Sequence, residues 1–383
     1  MNLAKITTRN NASAAARSSS YDYIMLVVVM SLTALGIVLV FSASSILAEK
    51  RYGDAYFFLK RQASFALLGL IVMIIFKNTD YHVWRDRAPL FLGLSILSLV
   101  LVLAPHVGVK VGGAHRWIRI YGFSFQPSEM AKLAVVIFMA RWVYHRGQEM
   151  RSFWKGFVPP IGIMIFFDGI ILLQPDMGTA MVIGMLVVLI MFVSGVRLLH
   201  LGMIAVVSIP MIIYLVVHAS YRMERLLTFL NPWRDPSGRG FQIIHSFLAF
   251  GCGGVFGAGL GDGRQKLFYL PEPHTDFIFS VAGEEIGFLG VFFIIFLYFI
   301  LIVRGMRLSL NSPDLFGTYL AFGLTSLLGV QVMVNMGVVL GLLPTKGMAL
   351  PFLSYGGSSL LFCMAAVGIL LNISTHVEEA ETP

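Results

Sequence analysis

Charge is what this chain has least of. Asp, Glu, Lys and Arg make up only 13% of its 383 residues, while 57% are hydrophobic. Soluble domains carry about a quarter charged residues, so the shortage excludes a water-soluble globule and leaves an integral membrane protein. Cysteine is nearly absent: Cys252 and Cys363 support no disulfide framework and read as small packing residues. Acids are scarcer than bases, 20 against 28, for a net charge of +8. That balance points to an anionic partner such as headgroups or phosphates. The bases are scattered between apolar runs, which argues against nucleic acid. Nor is a cleavable leader expected. The polar residues 1–20 end in Ser18-Ser19-Ser20 and meet an apolar run too long for a signal-peptide core, with no cleavage site behind it.

What the chain does have is long apolar runs. A spanning helix needs about 20 apolar residues, and ten such runs centre on 23–43, 59–77, 88–105, 126–143, 157–174, 178–195, 199–217, 276–303, 315–340 and 357–373. The expected fold is all-α, with about ten transmembrane helices over 21–374 and a large loop, 218–275, between the seventh and eighth. Residues 1–20 are expected to be a disordered tail and 375–383 a short tail, disordered from Val377, on the same side, as the even count requires. Lysine and arginine nearly tie between the two sides, so the positive-inside rule does not orient the chain. Most charges opposite the tails fall in 106–125 and 218–275, as though those bases face something anionic.

Several polar stretches break the apolar pattern. The segment 106–125 alternates apolar residues with Gly108, Gly112, Gly113 and Gly122, the pattern of a hairpin or membrane-surface lip. Trp117 and Tyr121 there suit the headgroup layer; an aromatic belt explains them but not Arg116 and Arg119. Pro127 suits the first turn of the next helix, and Glu129 and Lys132, three apart, share one of its faces. An ion pair facing lipid is costly, so that face looks inward, for structure or for function alike. Asp176, in Gln174-Pro175-Asp176-Met177-Gly178-Thr179, reads first as a helix cap. Asp168 is a buried polar contact with no further role.

The large loop gathers Arg222, Arg225, Arg234, Arg239, Arg264 and Lys266 with several acids. Residues 241–250 are apolar but short, as in an interfacial or re-entrant helix. The glycine-rich run 251–263 either cradles phosphate on its N–H groups or, more commonly, permits close packing. Asp276, after His274-Thr275, opens the eighth run either as an N-cap or as a general base. Glu284 and Glu285, about 12–13 Å further along the same helix, need partners, and Lys132 is one candidate. Gln331 and Asn335 share a helical face before Lys346 and the small polar run around Ser354.

Together GAHRWI, QPSEMAK, QPDMGT, NPWRDPSGRGFQ, QKLFYLPEPHTDFIF, GEEIG and LPFLSYGGSS resemble the shape, elongation, division and sporulation (SEDS) family of peptidoglycan glycosyltransferases. The likeness runs from the first span to the tenth. PTKGM, with Lys346, resembles the division branch more than the elongation branch; Pro273 and Ala349 depart from the usual pattern. The resemblance implies ten helices, both tails in the cytoplasm of a bacterial inner membrane at the division septum, and an extracytoplasmic site. It implies polymerisation of lipid II, with Asp276 at the position of the family's essential aspartate. Expected binders of pyrophosphate or sugar are Arg116, Trp117, Lys132, Arg225, Lys266, His274 and Lys346. Glu129, Asp176, Gln242, Glu284, Glu285 and Ser354 would form a supporting polar core. The partners implied are a class B penicillin-binding protein transpeptidase and divisome regulators. No cofactor is required; a divalent cation, Mg or Mn, could share the pyrophosphate charge, but no ligand cluster marks a metal site. Other readings are a lipid II flippase, an elongation-type polymerase, or a scaffold that only recruits partners.

Overall fold

The computed structural model describes residues 21–105, 107–111, 114–120, 123–263 and 273–381. The tail expected over 1–20, together with Arg264 and Lys266, lies outside them. Ten long helices fall on the ten apolar runs: α1 (Tyr23–Tyr52), α2 (Phe57–Lys77), α3 (His82–Leu103), α4 (Pro127–Arg146), α5 (Val158–Leu173), α6 (Met177–Val193), α7 (Leu198–Val217), α10 (Ile278–Asn311), α11 (Leu315–Val339) and α12 (Gly357–Glu381). Two shorter helices, α8 (Ser220–Leu230) and α9 (Phe241–Gly253), lie in the large loop. Eight of the described helices are long and apolar enough to cross a bilayer, α5 by virtue of the π-helical turn Phe153–Phe157 that extends it to a span of Phe153–Leu173. Of the other two, α6 has only 17 residues, and α4 carries Glu129, Lys132 and Arg141. The last helix reaches Glu381, so the disorder expected for the second tail does not begin at residue 377.

Local chemistry sets the helix ends. Asp22, Asp176 and Asp314 cap α1, α6 and α11 by accepting from Met25, Thr179 and Gly317 N–H groups. Pro127 takes the first turn of α4, where its missing N–H costs nothing. Helices α4, α11 and α12 are largely buried, whereas α7 is apolar on all sides and exposed along its length, with only His200 buried. That contrast separates the core of the bundle from a helix facing hydrocarbon.

Between α3 and α4 the expected lip is a three-stranded antiparallel sheet, β1 (Gly108–Val111), β2 (Ala114–Ile120) and β3 (Phe123–Phe125), in the order β1-β2-β3. The Ser358 hydroxyl fastens it to the start of α12, donating to Ser124 O (3.0 Å) and accepting from Gln126 N–H (3.0 Å).

Helix α10 breaks at Gly287 (φ 66°, ψ −168°). The chain after α9 fills the break. Ala258 and Gly259 N–H donate to Glu284 O (2.9 Å) and Glu285 O (3.0 Å), while Phe288 and Leu289 N–H donate to Gly254 O (2.9 Å) and Val255 O (3.2 Å). A Cβ at Gly257 would strike Glu285 O, and one at Gly287 would strike Gly257 N. Backbone freed inside a membrane helix must find protein partners, and 254–259 supplies them. Of the two readings of the glycine run, close packing holds for this part of it.

Candidate functional site

Asp276 sits half-buried in the turn that precedes α10. The N-cap of α10 is Phe277, with no side-chain capping bond, so the aspartate is not spent on capping. Two things fix its place. Asn335 on α11 donates from Nδ2 to Asp276 O (3.0 Å) and to Met348 O (2.6 Å), tying this turn to the α11–α12 connection. A Cβ at Gly347 would lie 2.7 Å from Asp276 Oδ2, so the carboxylate packs directly against this glycine.

The residue before that glycine is Lys346. Its aliphatic chain crosses Gly178, where a Cβ would have to displace it. Burial pulls its ammonium down to about 8; of the charges around it, Asp176 and Glu129 raise that value while Lys132 and Arg116 lower it. Asp176 caps α6, its Oδ1 accepting from Thr179 N–H (3.1 Å) and Oδ2 from the Thr179 hydroxyl (2.8 Å). Arg116 reaches from β2 to the turn before it, donating from Nε to Gln174 O (3.1 Å) and from Nη2 to Pro175 O. Gln174 is held in turn by its own bond to Leu99 O (3.0 Å). Lys132 Nζ lies 2.8 Å from Glu129 Oε1, with side-chain exposures of 2% and 9%. Three cations and two carboxylates thus converge from β2, α4, α6 and the α11–α12 connection, one residue away from Asp276.

His274 is buried, its ring 4.3 Å from that of Phe58 and 5.4 Å from that of Tyr355. Burial lowers it to about 4, so it enters the site as a neutral ring rather than a cation. Its carbonyl accepts from Tyr355 N–H (2.9 Å). Ser354 shapes the adjoining turn, accepting from Leu350 N–H (2.8 Å), and its carbonyl accepts from Gln62 Nε2 (3.3 Å).

Other expected residues lie apart. Lys132 pairs with Glu129, not with Glu284 or Glu285 as the sequence allowed; three residues along one helix is a shorter reach than a second helix. Glu285 accepts from the Ser42 hydroxyl (2.6 Å and 2.7 Å), and Glu284 packs beneath Gly263 of the large loop. Arg225 is exposed on α8, over the Tyr221 ring, and Gln242 is half-buried on α9. Trp117 is half-buried on β2 opposite Val109. Lys266 lies outside the described residues. Asp168 makes no polar contact through Oδ1, against the expectation of one. Cys252 is exposed and Cys363 buried, both free.

The sequence paired Asn335 with Gln331 on one face but gave neither a task. Gln62 carried no signal, being one glutamine in an apolar run. Among the described residues no three His, Cys, Asp or Glu side chains gather as a metal site.

The chain matches the family model described as cell cycle protein, FtsW/RodA/SpoVE, over residues 22–379. A probable peptidoglycan glycosyltransferase FtsW of Trichlorobacter lovleyi is 49% identical over 364 residues, covering 95% of this chain and 96% of the relative. Stage V sporulation protein E of Bacillus subtilis is 44% identical over 360 residues, covering 94% and 98%. Among solved structures, a chain from a peptidoglycan synthase complex that coordinates polymerization and crosslinking superposes with a TM-score of 0.77 at 32% identity, covering 95% and 99%. The rod shape determining protein RodA of Thermus thermophilus gives 0.68 at 30% identity, covering 93% and 97%.

Proposed function

Because the chain belongs to the FtsW/RodA/SpoVE family of cell cycle proteins, we propose that it is a peptidoglycan glycosyltransferase that polymerises lipid II during septal wall synthesis. The observation that carries the reading is the placement of the Asp276 carboxylate against Gly347, next to a lysine that joins a buried cationic cluster.

The work falls to two groups. Asp276 takes the proton from the acceptor sugar's 4-hydroxyl as that oxygen attacks the anomeric carbon of the donor. The new C–O bond forms on the face opposite the leaving group, so a β-1,4 linkage results by inversion. The bond from the anomeric carbon to the lipid pyrophosphate breaks, and its electron pair leaves with the pyrophosphate. That group is already a good leaving group and needs no proton. Lys346, Arg116 and Lys132 would meet the negative charge it gains, a role supported by their mutual proximity. Fixed cations in a partly dry site stabilise developing charge more than water does. The Glu129 and Asp176 carboxylates keep the cluster near electroneutrality before the substrate arrives. Arg225, exposed on α8, would contact the sugar or pyrophosphate only by closing over it.

In this reading the tails are cytoplasmic, the site faces outward, and a class B penicillin-binding protein crosslinks the emerging strand. Reconstituting the full chain with that transpeptidase in liposomes containing lipid II tests the activity. Glycan strands that a muramidase digests are expected. Lipid II that changes leaflet without being consumed would identify a flippase instead.

A further inference from the structure

At the end of the bundle where the chain begins and ends, a cleft of about 240 Å³ opens between Asp22, Arg304, Arg307, Asn311, Ser374 and Val377. It is far along α10 from the site described above. Between Glu285 and Arg304 this helix runs for 18 residues without a charge, a rise of about 27 Å, close to one hydrocarbon thickness. Arg304 therefore stands where the hydrocarbon ends. Arg304, Arg307 and Asn311 are spaced by three and four and share one face.

Among the described side chains, donors in this cleft outnumber acceptors. Asp22 is the one acid lining it among them, and both of its oxygens are engaged: Oδ1 accepts from Met25 N–H (2.9 Å) and Oδ2 from Arg304 Nε (2.7 Å). Its own N–H donates to the Ser374 hydroxyl (3.1 Å). That pair uses one edge of the Arg304 guanidinium. Its terminal N–H groups, and the whole exposed guanidinium of Arg307, have no acceptor among the described residues. Guanidinium groups are the side chains best matched to phosphate oxygens.

We propose that Arg304, Arg307 and Asn311 seat the phosphate of an anionic phospholipid headgroup in the leaflet at this end of the bundle. The headgroup phosphates of that leaflet lie at the depth of the cleft, which favours a lipid over a soluble anion. Asp22, held by Arg304, makes the site depend on the start of α1 and the end of α12, so the lipid would brace three helices where the chain termini enter the membrane. The site does not depend on the glycosyltransferase reading.

Native mass spectrometry of the full chain, titrated with phosphatidylglycerol and with phosphatidylcholine of the same acyl chains, tests the proposal. Phosphatidylglycerol should bind the wild type more tightly, and Arg307→Gln should weaken it about fivefold, the worth of one arginine at a headgroup surface. Arg151→Gln, an exposed arginine elsewhere on the chain, should leave it unchanged. Thermal melting in detergent should be the same for Arg307→Gln and wild type, since Arg307 bonds no described residue. Equal binding of the two lipids would overturn the proposal. So would an equal loss in Arg151→Gln, or displacement of phosphatidylglycerol by excess inorganic phosphate.

Discussion

At the scale of single residues, Lys346 is the group whose charge the environment controls most directly. Its ammonium is stable only up to about pH 8, because burial favours the neutral amine. If that charge meets the departing pyrophosphate, kcat/KM for polymerisation should fall as pH rises through about 8. That limb belongs to the free enzyme. Lys346→Arg should move it to higher pH, since arginine stays charged. An unchanged alkaline limb in Lys346→Arg would detach Lys346 from the reaction. Several of these residues were legible in the sequence because their types are rare in a membrane: Glu129, Lys132, Asp176, Asp276 and Lys346 stand out against apolar runs. Asn335 did not stand out as a site residue, because it acts through backbone carbonyls of Asp276 and Met348 that come from distant positions in the chain. The neutrality of His274 was likewise hidden until Phe58 and Tyr355 were seen around it.

At the scale of elements, the break in α10 is the feature that most constrains the large loop. Glu284 and Glu285 lie on the short half of that helix, and the 254–259 segment bonds to their carbonyls. Gly257 has φ of 84° and sits against Glu285 O, so Gly257→Ala should be destabilising. The expected cost is about 2 kcal/mol or more from backbone strain and contact together, read as a lower melting temperature in detergent. Gly251→Ala, on α9 with open space at its Cβ, should melt like the wild type. Equal melting of both variants would mean that the splice does not hold the loop. Hydrophobic length picks out eight of the long helices, since a bilayer fixes span length, whereas α4 carries three charges and α6 is short. The break at Gly287 was not legible, because Gly-Glu-Glu-Ile-Gly fits a continuous helix as well as a broken one. The three strands of the lip were only suggested, because short glycine-rich alternation fits a hairpin or a loose surface segment.

At the scale of the whole molecule, the charge balance left orientation open, and the proposed chemistry requires the large loop to face outward. If the large loop faces outward, Ser237→Cys between α8 and α9 should react with an impermeant maleimide on intact cells. Ser152→Cys, between α4 and α5, should react only after the membrane is opened. Both positions are exposed, and Cys252 must first be changed to Ser because it too is exposed. The opposite labelling would put Asp276 on the wrong side for wall synthesis. Outward placement also agrees with a transpeptidase partner, which needs the new strand on that side. The most direct test of the whole account compares Asp276→Asn with wild type, each purified with the transpeptidase and supplied with lipid II. The amide keeps the shape of the side chain and cannot accept the acceptor's proton. The prediction is a folded complex that still binds lipid II while polymerisation falls by about a hundredfold or more; strands formed at the wild-type rate would contradict it.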